Sequence, residues 1–191
     1  MASVNSYTER MPTPDRTSLE AIVLAASALL ENEGLAGLTM NAVADRVGVR
    51  APSLYKRVTS RDRLIQLVAE ATLTDLAGRL AHETSAVDVA NGLRTFGHER
   101  PAAFQLVMTP GPGTPGADDA FAATASESIL RVAGELAGPA HALEAARTLT
   151  AWATGFISME LNGRFKLGGD VERAWEFGVT RIVAAITTAP R

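Results

Sequence analysis

The side chains best suited to chemistry cluster in one short stretch of the chain. Six basic residues and one acidic residue lie between positions 46 and 63, whereas 10 basic and 14 acidic residues follow from position 64 onward. Guanidinium and ammonium groups bind phosphate oxygens, and hydroxyl groups add hydrogen bonds to them. A local basic surface on an otherwise acidic chain favours a phosphate-facing site, and the alternative is a solvated helix face.

The residues around this cluster predict two short helices that cross at a tight turn. Thr39 is suited to cap the first helix, and Gly48 supplies a turn conformation that other residues resist. Pro52 fits the first turn of the second helix, because its missing N–H has no helical partner there. Ala44 is small enough for a close crossing, and Leu54 pins the second helix inward. This is the pattern of a helix-turn-helix.

The second helix of such a pair fits the major groove of double-stranded DNA, where its first residues reach base edges. Arg50 can form paired hydrogen bonds with guanine, and Lys56 attracts phosphates. Backbone N–H groups at the helix starts near Thr39 and Arg61 also favour anions. The predicted DNA-binding residues are Thr39, Arg50, Ala51, Ser53, Tyr55, Lys56, Arg57 and Arg61. The alternative is a helical hairpin with a solvated basic edge.

Residues suited to catalysis or metal binding do not form a site in the sequence. The chain has no cysteine, and its three histidines, His82, His98 and His141, are scattered. The loop Gly111–Gly116 has two prolines and is not followed by the Lys-Ser/Thr pair of a phosphate-binding loop. No serine lies in a G-x-S-x-G elbow. We therefore expect no enzymatic activity, no metal and no cofactor.

Helical periodicity extends along most of the chain and predicts an all-α fold. Alanine is abundant, aromatic residues make up 5% of the chain, and runs of strand type are scarce. We predict a flexible arm at 1–17, a helix-turn-helix domain at 18–63 and a larger helical body at 64–191. The longest apolar run, Ala21–Leu30, is too short to span a bilayer, and no signal peptide is apparent. We expect a soluble, cytoplasmic protein.

The stretch LTMNAVADRVGVRAPSLYKRVTSRDRL resembles the DNA-binding head of the TetR/AcrR transcriptional regulators. The resemblance covers about residues 21–68. The residues Lys56–Val58 stand where this family often has an aromatic–His–Phe run, and Arg61 stands where lysine is common. The family's pattern is filled by Leu38, Thr39, Val43, Ala44, Gly48, Val49, Leu54, Tyr55, Arg61 and Leu64.

The second half resembles, more distantly, the body of one branch of that family. Trp152 and Gly155 match its tryptophan–histidine–glycine motif, with Thr154 in place of the histidine. The resemblance implies a homodimer formed by the last two helices, which would hold two recognition helices about 34–36 Å apart. The predicted dimerisation residues are Trp152, Met159, Trp175, Val179, Ile182 and Ile186. The alternative is that these residues fill the core of one chain.

The resemblance further implies a repressor that a small-molecule effector releases from operator DNA. Such an effector binds better to a form whose heads are wrongly spaced, so the DNA affinity falls. Because few of the candidate pocket residues are charged, we expect a largely apolar effector. These candidates are Phe96, His98, Phe104, Met108, Phe121, Trp152 and Phe156, with core filling as the alternative for each. An activator, or a ligand-sensing dimer without DNA function, is the other interpretation.

Overall fold

The computed structural model describes residues 18–187, and the arm predicted at 1–17 lies outside the described residues. Within this part the chain forms nine α-helices and one 3-10 turn, with no strand. The head contains α1 (Leu19–Gly37), α2 (Met40–Val47) and α3 (Ala51–Tyr55). The body contains α4 (Arg61–Leu80), α5 (Ala86–Glu99), α6 (Pro101–Met108), α7 (Asp119–Ala137), α8 (Ala142–Leu161) and α9 (Val171–Thr187), with the 3-10 turn Pro139–His141 before α8. The predicted all-α class is confirmed.

Small polar side chains begin most of these helices. Ser18, Thr39, Ser60, Ser85 and Asp118 each accept a hydrogen bond from a backbone N–H of the following first turn, at 3.0 or 3.1 Å. First-turn N–H groups have no partner inside a helix, so each cap satisfies a donor that would otherwise need water. Of these caps, the one at Thr39 was predicted from the sequence.

Gly34 divides α1 into two helical segments that meet at a kink. Its backbone adopts φ 68° and ψ −176°, a conformation that glycine tolerates because it has no Cβ. Three further residues continue to Gly37, so the chain gains one more turn before Leu38 enters the core.

A single hydrophobic core runs from the head into the body, and α4 takes part in both. Leu64 and Ile65 near the start of α4, and Leu76 and Leu80 near its end, are all buried in this core. The helix packs against α1 of the head and against α5, α6 and α7 of the body. The boundary predicted between residues 63 and 64 therefore falls within the first turn of an unbroken helix.

A carboxylate of the head caps a helix of the body. Glu31 of α1 accepts hydrogen bonds from the backbone N–H groups of Ala102 and Ala103, each at 3.0 Å, in the first turn of α6. Arg100 lies 3.7 Å from the same carboxylate and donates to Asp75 of α4 at 2.8 Å. These charge-assisted bonds join α1, α4 and α6 at one point.

We predict that Glu31→Ala lowers the free energy of unfolding by about 2 kcal/mol, because two first-turn N–H groups of α6 lose a charged acceptor. The measurement is urea unfolding followed by far-UV circular dichroism at one protein concentration. Glu33→Ala on the same helix removes an exposed carboxylate and should change stability by less than about 0.5 kcal/mol. Equal losses in the two variants would contradict the assigned cap.

Candidate nucleic-acid interface and ligand cavity

The turn between α2 and α3 has the geometry that its sequence predicts. Gly48 adopts the left-handed conformation, with φ 75° and ψ 35°. Its N–H donates to the Asp45 carbonyl at 3.1 Å, and the Val49 N–H donates to the Ala44 carbonyl at 2.9 Å. Ala44 and Leu54 are buried between the helices. The turn therefore fixes α3 on α2 and leaves the outer side of α3 in solvent.

Most residues predicted to bind DNA lie on this outer surface. Thr39, Arg50, Lys56 and Arg57 are exposed, Tyr55 is 49% exposed, and Ala51 and Ser53 are half-buried. Arg46, in the last turn of α2, is also exposed and was not among the predicted residues. Within the described chain, the side chains of Arg46, Arg50 and Lys56 form no ion pair or hydrogen bond, so their charges face solvent.

The Arg61 side chain serves the head itself. Its Nε donates to the Leu38 carbonyl at 2.7 Å, and its Nη2 donates to the Leu35 carbonyl at 2.5 Å. The guanidinium therefore holds the end of α1 against the start of α4. The first backbone N–H groups of α4 have no partner within the helix, and a phosphate contact at this position stays a prediction.

The Arg63 side chain also has a partner within the chain, because it forms an ion pair with Glu70 at 3.0 Å. Glu70 is buried and lies two helical turns further along α4, a spacing that places both residues on one face. Two of the six basic residues between positions 46 and 63 therefore stabilise the fold. The exposed positive surface is concentrated at the two ends of α3, at Arg50 and Lys56, and on the last turn of α2.

A cavity of about 220 Å³ lies among the helices of the body. Helices α4 and α5 form one side of it with the aliphatic residues Leu73, Leu76, Leu80, Val89, Ala90 and Leu93. Val107 and Met108 of α6, four residues of α7 and three residues of α8 complete the wall. Among these described residues only Ser126 and Thr150 are polar, and none is charged. The cavity is thus suited to an apolar molecule.

The structure brings only one of the predicted pocket residues to this cavity, namely Met108. Phe96 and Phe104 are fully buried core residues, and Phe121 lies at a surface groove beside α1 and α4. His98 points outward from α5 and is 46% exposed at its side chain. The sequence could not separate the two roles, because small aliphatic residues at helical spacing line the cavity and the core alike.

Trp152 and Phe156 belong to an aromatic cluster that joins α8 to α9. The Trp152 ring stacks on Trp175 with centroids 4.8 Å apart, and Phe156 meets Trp175 edge-on at 5.2 Å. Phe165 of the following loop lies 4.7 Å from Phe156. A Cβ at Gly178 would lie only 2.4 Å from the Trp152 ring, so glycine is required for this approach. The cluster fixes the angle between α8 and α9 within one chain.

The predicted dimerisation residues divide into an inner and an outer group. Trp175 and Val179 are 1% and 3% exposed and pack in the core of their own chain, which removes them from the surface that a second copy could reach. Trp152, Ile182 and Ile186 are partly buried against the same core. Met159, in contrast, is 45% exposed on α8.

An exposed strip of small and apolar residues extends from Met159 across α8 and α9. Ala151 and Gly155 precede Met159 at intervals of four residues and are both exposed. Phe177 of α9 is 65% exposed, and the Arg181 guanidinium lies 5.4 Å from its ring centroid. Phe177 was not predicted from sequence, and an aromatic residue beside the polar positions of an amphipathic helix is the signal that would have indicated it.

An ionic cluster ties α5 to α8 and α9. Arg94 of α5 pairs with Glu160 of α8 at 2.7 Å and with Glu172 of α9 at 2.8 Å. Its Cζ lies 5.0 Å from the centroid of the Trp175 ring, and His98 contacts Glu160 at 3.0 Å. Hydrogen bonds from Arg94 lower the pKa of the Glu160 carboxyl, although burial opposes them, and His98 adds to the lowering.

Two protein-family models match separate parts of this sequence. Residues 15–68 match bacterial regulatory proteins of the tetR family, and residues 86–182, half of the chain, match the tetracyclin repressor-like C-terminal domain. The chain belongs to the TetR family of transcriptional regulators. The N-terminal helix-turn-helix is the DNA-binding domain of this TetR-family regulator, and the predicted family is confirmed.

Curated relatives of this TetR-family regulator match it over part of its length. An uncharacterised HTH-type transcriptional regulator of Mycobacterium tuberculosis is 32% identical over 99 residues, which is 48% of this chain and 45% of the relative. The class C tetracycline repressor protein of Escherichia coli is 40% identical over 55 residues, 29% of this chain and 25% of the relative. The matches thus span less than half the length of these curated relatives.

Solved structures resemble the TetR-family regulator over most of its length. The regulatory protein SCO4313 has a TM-score of 0.74 and 25% identity, covering 88% of this chain and 97% of that one. A TetR variant from Acinetobacter baumannii, solved in complex with minocycline, has a TM-score of 0.64 and 21% identity, with coverages of 88% and 95%. At 21% identity, the similarity to the Acinetobacter baumannii protein shows a shared fold and nothing more.

Residues 18–187 lack both a membrane-spanning helix and a cluster of metal-binding side chains. No helix of this region is long and apolar enough to cross a membrane. No group of three or more histidine, cysteine, aspartate or glutamate side chains in the same region is arranged to hold a metal ion.

We predict that Glu160→Gln lowers the stability of the TetR-family regulator by about 2 kcal/mol at pH 7, because Arg94 loses the more buried of its two charged partners. The pKa of Glu160 is lowered on folding, so its contribution is present above its ordinary pKa of 4.5 and is lost as the pH falls through the folded value. Urea unfolding at pH 7, pH 5 and pH 4 measures this difference, which should shrink at the lowest pH. Glu127→Gln, an exposed carboxylate on α7, is the control. A loss that is independent of pH would contradict the ionic origin.

Proposed function

We propose that this TetR-family regulator is a homodimeric repressor that a small apolar effector releases from operator DNA. The observation that carries the proposal is the double role of α4. Leu73, Leu76 and Leu80 of this helix line the cavity, while its first residue, Arg61, is bonded to the end of α1 in the head. A ligand that binds one position of α4 better than another therefore shifts the position of the head.

In this proposal residues 18–63 bind DNA, and residues 64–191 bind the effector and form the dimer. The exposed surface of Thr39, Arg50, Tyr55 and Lys56 supports major-groove binding, with Arg50 at the start of α3 reading base edges. Arg46 and Lys56 add unpaired positive charge for the phosphates on either side. The protein acts where its operator DNA is, in the cytoplasm.

The cavity supports the effector-binding part of the proposal. It is lined by five helices of the body, and its wall is almost wholly apolar. A protein of the same fold from Acinetobacter baumannii was solved with minocycline. A body of this architecture can therefore hold a small molecule, and we assign the cavity of this chain to the effector.

The dimer is proposed to form through the exposed strip of α8 and α9. Ala151 and Gly155 allow a second helix to approach closely, and Met159 and Phe177 supply apolar area that one chain leaves in solvent. Two copies related by a two-fold axis would pack these helices as a four-helix bundle. A two-fold dimer presents two α3 helices to successive major grooves on one face of DNA.

We further propose that the body belongs to the branch with a tryptophan–histidine–glycine motif. Trp152 anchors α8 on α9, and the exposed Gly155 has no atom within 4 Å of the position that a Cβ would occupy. Thr154 stands in place of the histidine, and its Oγ1 is buried without a hydrogen-bond partner in the described chain. A role that depends on the imidazole is therefore absent from this protein.

We predict that purified protein selects a palindromic site from a random duplex library, with half-site centres about one helical turn apart. On that site, Lys56→Ala should weaken binding and reduce the slope of log affinity against log salt by about 1. Arg50→Ala should lose about 1–3 kcal/mol of discrimination at one base pair of each half-site. Fluorescence anisotropy at several salt concentrations measures both effects.

The matched control for this experiment is Lys166→Ala, which removes an exposed lysine from the loop between α8 and α9. It should leave the affinity and the salt slope unchanged. Selection of no common site, or equal losses for Lys56→Ala and Lys166→Ala, would contradict the assignment of α3 as the recognition helix.

We predict that Phe177→Glu converts the dimer to monomers and weakens operator binding, because it places a charge within the proposed apolar interface. Sedimentation-velocity centrifugation measures the change in mass. Leu24→Glu is the control, since Leu24 is similarly exposed at 72% but lies on α1. Loss of the dimer in both variants, or in neither, would contradict the proposed interface.

A further inference from the structure

We infer that the effector is an uncharged molecule with an apolar body and one hydroxyl group, held by Thr150 and Ser126. This inference rests on the proposed function, because it takes the body cavity as the effector site. It goes further in naming the chemical class of the ligand, a small alcohol or phenol, and the two side chains that recognise its polar group.

The size of the ligand follows from the volume of the cavity. An apolar cavity of ~150 Å³ is large enough to take up benzene. The present cavity, at about 220 Å³, therefore holds on the order of nine non-hydrogen atoms without rearrangement. Molecules with several fused rings exceed this volume.

The absence of charge on the ligand follows from the cavity wall. No acidic, basic or histidine side chain is among the described residues that line it. An ion buried there would lose its hydration and gain no opposite charge, which costs several kcal/mol. The charged groups of the ionic cluster on α5 are paired with one another and lie on the side of α5 away from the cavity. Leu93 lines the cavity, whereas its neighbour Arg94 pairs with Glu160 and Glu172 on the outer side of α5.

The hydroxyl group follows from the hydrogen-bonding state of the two polar lining residues. Ser126 donates its own proton to the Ala122 carbonyl at 2.8 Å, so its Oγ faces a ligand as an acceptor only. Thr150 makes no side-chain hydrogen bond with the described chain and offers both a donor and an acceptor.

Ser126 and Thr150 both line the cavity, and a ligand hydroxyl that reaches both can donate to Ser126 and accept from Thr150. An ether or ketone oxygen can accept from Thr150 but leaves Ser126 unpaired. Polar groups that a ligand buries are stabilised when they find partners. The cavity therefore favours a group that both donates and accepts.

The test uses four probes with nearly the same apolar chain, which are 1-octanol, 1-methoxyheptane, octanoate and octylammonium. Each is titrated into the full-length protein at pH 7 by isothermal calorimetry. We expect 1-octanol to bind more than ten-fold tighter than either ion and about five-fold tighter than the ether, since one hydrogen bond is worth a factor of about 2 to 10.

Two variants assign the hydrogen bonds separately. Ser126→Ala should weaken 1-octanol about five-fold and leave the ether unchanged, because only the alcohol donates to Ser126. Thr150→Val, which keeps the shape of the side chain, should weaken both probes by a similar factor. Unchanged urea midpoints and unchanged affinity for the selected operator show that both variants keep the native fold.

The inference is overturned if octanoate or octylammonium binds as tightly as 1-octanol, if none of the four probes binds, or if 1-octanol binds both variants as it binds the wild type. Its failure is distinguishable from failure of the proposed function through anisotropy on operator DNA. Binding of 1-octanol with the expected variant pattern, but without loss of DNA affinity, supports the ligand class and contradicts release by the effector. Octanoate that binds tightly and releases DNA contradicts the ligand class and supports release.

Discussion

The Glu31 carboxylate lies where three helices meet, and the relation between head and body depends on it. It belongs to α1 and accepts hydrogen bonds from the first backbone N–H groups of α6. It also lies beside Arg100, which donates a hydrogen bond to Asp75 of α4. Burial raises the pKa of Asp75, but hydrogen bonds and charge from Arg79 and Arg100 outweigh this effect, so the pKa lies below its ordinary value. Since α4 and α6 also line the cavity, the helices that would sense a ligand are those that the head is bonded to. Few other polar contacts connect the two parts so directly.

The distribution of charge has a consistent physical logic along the chain. Arginines at the joints between helices are paired with carbonyls or carboxylates, as Arg61, Arg63 and Arg94 show. Cations that flank α3 and one at the end of α2 are left in solvent. Pairing lowers the cost of placing a charge in a partly buried position, whereas an unpaired charge at the surface remains able to bind a phosphate. The same residue type therefore supports the fold in one place and proposed DNA binding in another.

The sequence predicted the features that depend on neighbouring residues and missed those that depend on distant ones. The cap at Thr39 and the left-handed turn at Gly48 are local, so residue type and spacing were sufficient. Whether an apolar residue fills core, lines a cavity or faces solvent is decided by how the helices pack. For that reason Trp175 lies inside its own chain, Phe177 lies outside, and Met108 alone of the predicted pocket residues reaches the cavity. Arg61 shows the same limit, because its carbonyl partners are more than twenty residues away.

The continuity of α4 has a consequence for the exchange of parts between regulators. Hybrid proteins are commonly made by joining the head of one protein to the body of another, and the join works best where few contacts cross it. In this chain a join between residues 63 and 64 would cut a helix whose next residues, Leu64, Ile65 and Val68, lie in the core shared with α1. A head grafted at that point would bring α1 against a foreign α4, with new side chains opposite Ile22 and Leu29. The portable unit of this protein is therefore the head together with the first two turns of α4. Hybrids that move this longer piece keep the buried contacts between α1 and the start of α4, whereas the contacts of α1 with α6 are replaced.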